Sequence, residues 1–502
     1  MRYFTKIIFF IFLIILSFRG YSQQENTLYF MERVPQSQYL NPANHPDCKW
    51  WLSGLIVPTW VIPMIDPIIV PVIHFPMYMD ISTPFALNDV ISYKNNKPDR
   101  TFLYDATTQD AFLKKLSPIN YISNNFSLEW LNLGFKQGKN YWDLSLMTKY
   151  NLNYSFPKEY FAFPLKGNLD STRVDNGVFD GQGINANVYQ EASIGFNRQF
   201  SKYFRVGIRL KGIYGIANIN TASSKMKLNT IQRTDKELLD KNGYMPTTIQ
   251  TESDMIINAS LPLVTITNDS NHVPNKFDFK NGVSSQDFAK LKNYGWGVDV
   301  GLIKEWSSEF TVFASVIDFG YINWKSYVYN YKLKGKFDFN GQPFSNLNIN
   351  NINLDTLLKQ FTNGYKASDT TKSYVTSLNT KYFLGGNYKL SKKVNIGLIG
   401  RIERMPYNYE YSATASLNLK PFRWGTLSLS SSYYKKSFYN FGLGYTIRIM
   451  AMQWYAIYDN LIGAAIFPER TRYFSLRWGV NLVFGRGKKK FIDKNKPLLN
   501  TL

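Results

Sequence analysis

The feature that most restricts the fold of this 502-residue chain is a strict alternation of apolar and polar side chains that returns segment after segment. In 204–211, Phe204, Val206, Ile208 and Leu210 alternate with Arg205, Gly207, Arg209 and Lys211. Tyr411, Ala413, Ala415, Leu417 and Leu419 oppose Ser412, Thr414, Ser416, Asn418 and Lys420, and in 473–484 Phe474, Leu476, Trp478, Val480, Leu482 and Phe484 oppose Ser475, Arg477, Gly479, Asn481 and Val483. A repeat of two marks a β-strand whose faces meet different surroundings. Past the N-terminus no uninterrupted run of roughly 20 apolar residues occurs, so bilayer-spanning helices are not the basis of the fold.

A soluble β-sandwich alternates too, and what surrounds the alternation decides between the two. Aromatic residues make up 17% of the chain. They recur at the ends of apolar segments about ten residues long, as in the interfacial girdles of strands that cross a bilayer at a tilt. Tight turns at Gly138-Lys139-Asn140, Ser201-Lys202, Ser307-Ser308 and Ser391-Lys392-Lys393 fall between longer excursions such as 153–185 and 265–292. Short periplasmic turns and long outer loops produce that rhythm. The expectation is an all-β fold, a transmembrane antiparallel β-barrel of about fourteen strands within a range of roughly 12–16. Short helices in loops or lumen are expected at 106–116, 235–241, 284–292 and 353–362.

Residues 1–22 have the layout of a secretory signal peptide: Arg2 and Lys6, an apolar stretch from Ile7 to Phe18, then Gly20-Tyr21-Ser22, with cleavage expected near Ser22/Gln23. The apolar stretch is short for the alternative, an uncleaved membrane anchor. Residues 23–120 read as an N-terminal segment holding the first strand and a proline-rich insertion. There Pro58, Pro63, Pro67, Pro71 and Pro76 forbid a regular helix or a central strand. The insertion is expected to pack at the barrel mouth or in the lumen, or to form a membrane-dipping loop. The barrel is expected over 121–485, and the basic tail 486–502 reads as a solvated end.

The net charge of +22 raises nucleic acid as a partner. Export and the spread of basic residues along strands argue against it, and outer-membrane lipid and lipopolysaccharide phosphates, with an unidentified protein partner, fit the charge better. A single cysteine, Cys48, excludes an internal disulfide framework. The three histidines, His45, His74 and His272, do not pair at ligand spacing, so no metal site is expected. His272 near Ser270 allows a rim hydrolase to be drawn, yet a solvated loop histidine accounts for it. Gly181-Gln182-Gly183 lies in a polar loop, not between a strand and a helix, so no cofactor is expected either. The chain therefore reads as a non-enzyme.

The suggestive residues are charges on the lumen face: Arg205, Arg209, Lys211, Glu191, Asp299 and Glu403. Inward arginines would bias a pore toward anions. The alternative, that they pair with the acids and fill a narrow lumen, is preferred because buried charges persist only when paired. The many inward Gly and Ser leave room for a plug.

The run TLYFMERVPQSQYLNPANHP at 27–46 resembles the start of an uncharacterised family of Bacteroidetes outer-membrane barrels, known only as a domain of unknown function. FSLEWLNLGFKQGKNYWDLSL at 126–146, YGWGVDVGLI at 294–303 and DNLIGAAIFPERTRYFSLRWGVNLVFG at 459–485 look like that family as well. The insertion at 57–76 departs from it. Gln38-Tyr39-Leu40-Asn41-Pro42-Ala43 is also similar to the opening of the barrel family that accompanies type IX secretion and gliding motility. These resemblances imply an outer-membrane barrel without catalytic residues, either a porin-like or plugged conduit for solutes or a scaffold anchoring a surface or periplasmic partner.

Overall fold

The structure is a computed structural model and describes residues 26–54, 76–94, 97–167, 177–232, 247–268, 274–280, 285–339, 365–422, 424–438, 440–460 and 468–486. The signal segment, the insertion at 57–75 with His74, the helices expected at 235–241 and 353–362, Ser270, His272 and the tail from 487 lie outside the described residues.

The chain opens with a short helix, α1 (Asn26–Tyr29), and a 3-10 turn (Pro35–Tyr39). The wall begins with β1 (Cys48–Gly54) and β2 (Met77–Ser82). An outer excursion follows: α2 (Leu87–Val90), the hairpin β3 (Ile91–Lys94) and β4 (Lys97–Thr101), and α3 (Ala106–Lys115). Four long strands come next, β5 (Ile119–Gln137), β6 (Asn140–Pro157), β7 (Gly183–Gln199) and β8 (Phe204–Gln232), with α4 (Glu159–Lys166) in the loop between β6 and β7. Beyond them lie β9 (Thr247–Ser260), the hairpin β10 (Val264–Asn268) and β11 (Pro274–Phe279), and α5 (Ser285–Ala289). The wall resumes with β12 (Tyr294–Glu305) and β13 (Phe310–Trp324), followed by β14 (Val328–Phe339), β15 (Tyr365–Thr370) and β16 (Tyr374–Ser377). It ends with β17 (Lys381–Lys389), β18 (Val394–Arg404), β19 (Tyr409–Leu419), β20 (Gly425–Tyr434), β21 (Phe441–Ile449), β22 (Met452–Asp459) and β23 (Tyr473–Arg486).

These strands close into an antiparallel barrel of fourteen staves, as the alternation leads one to expect. Closure is made by the first stave, which is in two pieces. β1 and β2 each sit between β23 and β5, with Trp51 opposite Val483 and Gly134, and Tyr78 opposite Arg477 and Ser127. A closed ladder leaves no edge amides to face lipid, which is why a chain without a disulfide holds this shape in a bilayer. Among the described residues no helix is long and apolar enough to cross a membrane.

The outward face is apolar, with Ile208, Leu210, Leu302, Leu384 and Leu398 exposed. Aromatic side chains mark its short-turn rim: Trp50 stacks on Phe484 with centroids 3.7 Å apart, and Phe422 on Trp424 at 4.8 Å. The short turns at 138–139, 201–203, 307–309 and 391–393 share one end, as expected. The helices expected at 106–116 and 284–292 are present as α3 and α5, both outside the wall.

At the other end the molecule rises beyond the barrel. The outer half of β8 leaves its partner β12, which it holds up to Tyr214, and pairs instead with β9, to which β14 and then β15 add. One face of this projecting sheet carries Lys225 and Lys227 opposite Asp254 and Glu252, which in turn oppose Lys334 and Lys336. Beside it α3 and α4 pack Phe112, Leu113, Leu116 and Ala162 against Phe85, Phe102 and Phe161 in a small core of their own. Asp105 caps α3, accepting from the Thr108 amide at 2.7 Å while the Thr108 hydroxyl accepts from the Asp105 amide at 3.1 Å.

Candidate functional site: a lumen closed by the N-terminal segment

Residues 26–47, the polar stretch ahead of the first strand, fill the barrel. Leu28, Tyr29, Phe30, Met31, Val34, Leu40 and Ala43 form a buried cluster with Ile303, Phe313, Ile317, Phe383 and Ile399 of the wall. Burying each such large side chain is worth about 1.5–3 kcal/mol relative to exposure. The expected room for a plug is provided by wall glycines. A Cβ on Gly207 would collide with the backbone of Pro42, and one on Gly301 with the side chain of Asn41.

Polar contacts fix the segment's register. Asn26 donates to Thr414 at 2.8 Å and Thr27 bonds Ser430 at 2.6 Å and also Asp459. Asn41 Nδ2 donates to the Tyr29 hydroxyl at 2.8 Å, and Asn197 Nδ2 to the Pro42 carbonyl at 2.9 Å. Glu129, buried on β5, accepts from Gln36 at 3.1 Å, from the Tyr39 hydroxyl at 2.6 Å and from Ser53. His45 stacks on Tyr141 at 4.8 Å, which gives this histidine a packing role.

All six charges singled out from the sequence lie in the wall, and each meets an opposite charge. Arg205, near the short-turn rim, approaches Glu305 at 3.9 Å. Arg209 is fully buried. It donates to Asp143 at 2.6 Å and to the Gln38 carbonyl at 2.9 Å, and it lies over the Tyr39 ring at 4.9 Å. Lys211 bridges Asp318 at 2.6 Å, Asp299 at 2.7 Å and Glu191 at 3.8 Å, and Glu191 also holds Lys149 at 2.7 Å. Glu403 pairs with Arg401 two residues earlier on its own strand. Each of the six is thus paired, and the partner of Arg209 is Asp143, not one of the three acids weighed from the sequence.

Asp143 was legible, because Trp142 and Leu144 flank it as outward residues of β6. Asp318 was not. It sits at a bulge with φ of 56°, where Ile317 and Asp318 both turn inward and the parity of β13 reverses. Its amide donates to Asp299 at 2.7 Å. A bulge re-aims a side chain in this way, and regular alternation cannot foretell it.

On the outer side of the plug a cavity of about 80 Å³ remains, lined by Tyr39, Lys149, Glu191, Lys211, Asp318 and Arg477 among others. At roughly 10–15 Å³ per water it has room for several waters. Among the described residues no group of His, Cys, Asp and Glu is arranged to hold a metal ion, and Cys48 is buried beside Trp51, Tyr141 and Val483.

Fold and lumen together define a transmembrane β-barrel plugged by its own N-terminal segment. The chain belongs to the family of unknown function DUF5723, which its sequence matches over residues 68–459, a span that begins after the plug. No curated protein matches it. Solved structures similar to it include the P. putida toluene transporter TodX, at 9% identity over 89% of this chain and 92% of that one with a TM-score of 0.35. The Ralstonia pickettii toluene transporter TbuX is similar at 7% identity over 89% and 92%, with a TM-score of 0.37. A Pseudomonas aeruginosa FadL homologue is similar at 8% identity over 92% and 97%, with a TM-score of 0.38.

Proposed function

We propose that the protein is an outer-membrane conduit for solutes that its own N-terminal segment keeps shut. The observation that carries this reading is the nature of the closure. The lumen is sealed by a separable stretch of chain that adds no strand to the wall. Its contacts are apolar packing and side-chain hydrogen bonds, the neutral ones worth about 0.5–1.5 kcal/mol net each and those to Arg209 and Glu129 about 1.5–3 kcal/mol. Displacing the segment breaks none of the ladder that closes the barrel, and it uncovers an inner wall of mixed character, polar at Asn197, Ser315, Thr414 and Ser430 and apolar at Ile303, Phe313 and Ile399. Reconstitution in planar bilayers tests the reading. The intact protein should be near-silent, and a variant lacking residues 26–45, or one with Gly207→Leu and Gly301→Leu, should conduct. Silence in all three, with the barrels folded, would exclude a pore.

A second reading, a scaffold for a surface or periplasmic partner, is favoured by the sheet formed by the outer half of β8 with β9, β14 and β15, which stands clear of the barrel. A gentle detergent pull-down that recovers a stoichiometric companion supports it, and recovery of the barrel alone counts against it.

A further inference from the structure

The outward wall is not uniformly convex. Across β17, β18, β19 and β20 it holds a groove of about 980 Å³ lined by Leu384, Leu398, Leu417 and Leu429, with Gly386, Gly400 and Ala415 as its floor. This floor differs in kind from the glycines that face the lumen. A Cβ on Gly397 would strike the ring of Phe30 in the plug, whereas one on Gly400 would have a single neighbour, the Leu384 carbonyl oxygen at 3.8 Å. Nothing in the protein requires Gly400 to lack a side chain, and the missing side chain leaves space on the lipid side.

The groove has a definite polarity. Phe310 and Tyr388 line its end toward the short turns, and the turn just beyond carries Lys392 and Lys393, with Lys420 joined to it through an amide-to-carbonyl bond to Lys393 of 2.8 Å, while Lys389 at the end of β17 donates to the Ser308 carbonyl at 3.4 Å. Lys392 and Lys393 are exposed. Acids at this foot include Glu309, whose carboxylate accepts from Ser308 and, at 3.4 Å, from Ser307, and, on the lumen side beside Lys420, Glu32. The stacked pair Phe422 and Trp424 lies at the neighbouring turn and marks the depth of the interface. An apolar trough about a leaflet deep, ending at a cluster of lysines, matches a lipid with acyl chains and an anionic headgroup. Short turns face the periplasm, so the leaflet at that end is the inner one.

We propose that this groove is a specific site for an anionic diacyl glycerophospholipid of the inner leaflet, with acyl chains against Leu384, Leu398 and Ala415 and the phosphate on Lys392 and Lys393. The inference rests on the membrane placement above but not on conduction.

The test is lipid retention by the full chain. The protein is reconstituted in vesicles of phosphatidylethanolamine and phosphatidylglycerol, extracted gently, and its retained lipid counted by native mass spectrometry. The wild type should keep phosphatidylglycerol in preference to phosphatidylethanolamine. Lys392→Gln with Lys393→Gln should lower that preference roughly twenty-five-fold, since each basic residue near the surface contributes a factor of about five. Gly400→Leu with Ala415→Leu fills the trough and leaves every charge in place, and it should lose the retained lipid altogether. Heat-modifiable migration reports folding of each variant separately, so a barrel that fails to insert is not mistaken for one that has lost its lipid. Equal retention of both lipids by the wild type, or unchanged phosphatidylglycerol binding in the trough-filled variant, would leave only annular lipid and overturn the proposal.

Discussion

Gln36 in the plug and Asn481 in the last strand bond each other twice: Gln36 Nε2 donates to Asn481 Oδ1 at 2.9 Å and Asn481 Nδ2 to Gln36 Oε1 at 3.0 Å. Both side chains are buried, and this reciprocal amide pair ties the first described segment to the last described stave. Replacing either one by Leu leaves the other's amide oxygen without its donor, at a cost of about 1–3 kcal/mol, while the remaining nitrogen keeps Glu129 in the case of Gln36 and Gln453 in that of Asn481. Gln36→Leu should therefore loosen the plug by that amount, and the double variant with Asn481→Leu should cost less than the sum of the two. Amide exchange in residues 26–47 measures it. Strict additivity would mean the pair does not couple plug to wall.

The wall glycines give a sharper test. Gly207→Leu and Gly301→Leu place side chains where Pro42 and Asn41 now sit. The barrel should still form, because both substitutions leave the backbone ladder intact, but the plug should be displaced. Limited proteolysis with trypsin should then cut after Arg33 in the variants and spare it in the wild type. Equal protection in both would contradict the seating of the plug on these glycines.

How far the sequence foretells these contacts varies with the kind of information each needs. The fourteen-stave wall was legible, because strands such as 411–420 and 473–484 state their two faces residue by residue. The short-turn end followed from Gly138, Ser201, Ser307 and Ser391. The lumen charges were legible as inward positions, since the parity of β8 fixes Arg209 and Lys211. Among their partners Asp143 was legible as an inward position too, but which charge meets which was not, because pairing across staves depends on register and on the bulge at Asp318. The plug itself was foreseen only as room left by small residues. Residues 27–46 lack any period of two or 3.6, and their structure is imposed by the cavity they enter.

Lys211 lies among Asp299, Asp318 and Glu191 in a buried network. Removing one member of such a pair leaves an uncompensated buried charge at about 3–5 kcal/mol. Lys211→Met should destabilise the barrel by that order, and Lys211→Met combined with Asp299→Leu should recover much of the loss. Urea unfolding in detergent compares them. A double variant less stable than Lys211→Met alone would show that the network stabilises by more than charge balance.

Outside the membrane, Asp105 offers a pH-dependent contact. The hydrogen bond from the Thr108 amide at the start of α3 holds its carboxyl below the ordinary value of 3.8. A depressed carboxyl stabilises the folded form above its ordinary value and loses that contribution as pH falls through the lowered one. Protection of the Thr108 amide should thus be constant down to about pH 4 and then decline, a step that Asp105→Asn should lack. A decline of equal size in that variant would assign the step to another group.

The most direct measurement concerns where residues 26–47 lie. In a Cys48→Ser background, a single cysteine at Leu40→Cys, a position only 2% exposed, is treated with a membrane-impermeant maleimide in the folded, reconstituted protein. Lys202→Cys at an exposed short turn serves as the reference. A plugged lumen requires that Leu40→Cys stay unlabelled while Lys202→Cys reacts promptly, and that adding Gly207→Leu and Gly301→Leu makes position 40 reactive. Prompt labelling of Leu40→Cys in the otherwise intact barrel would mean that the N-terminal segment does not close the lumen.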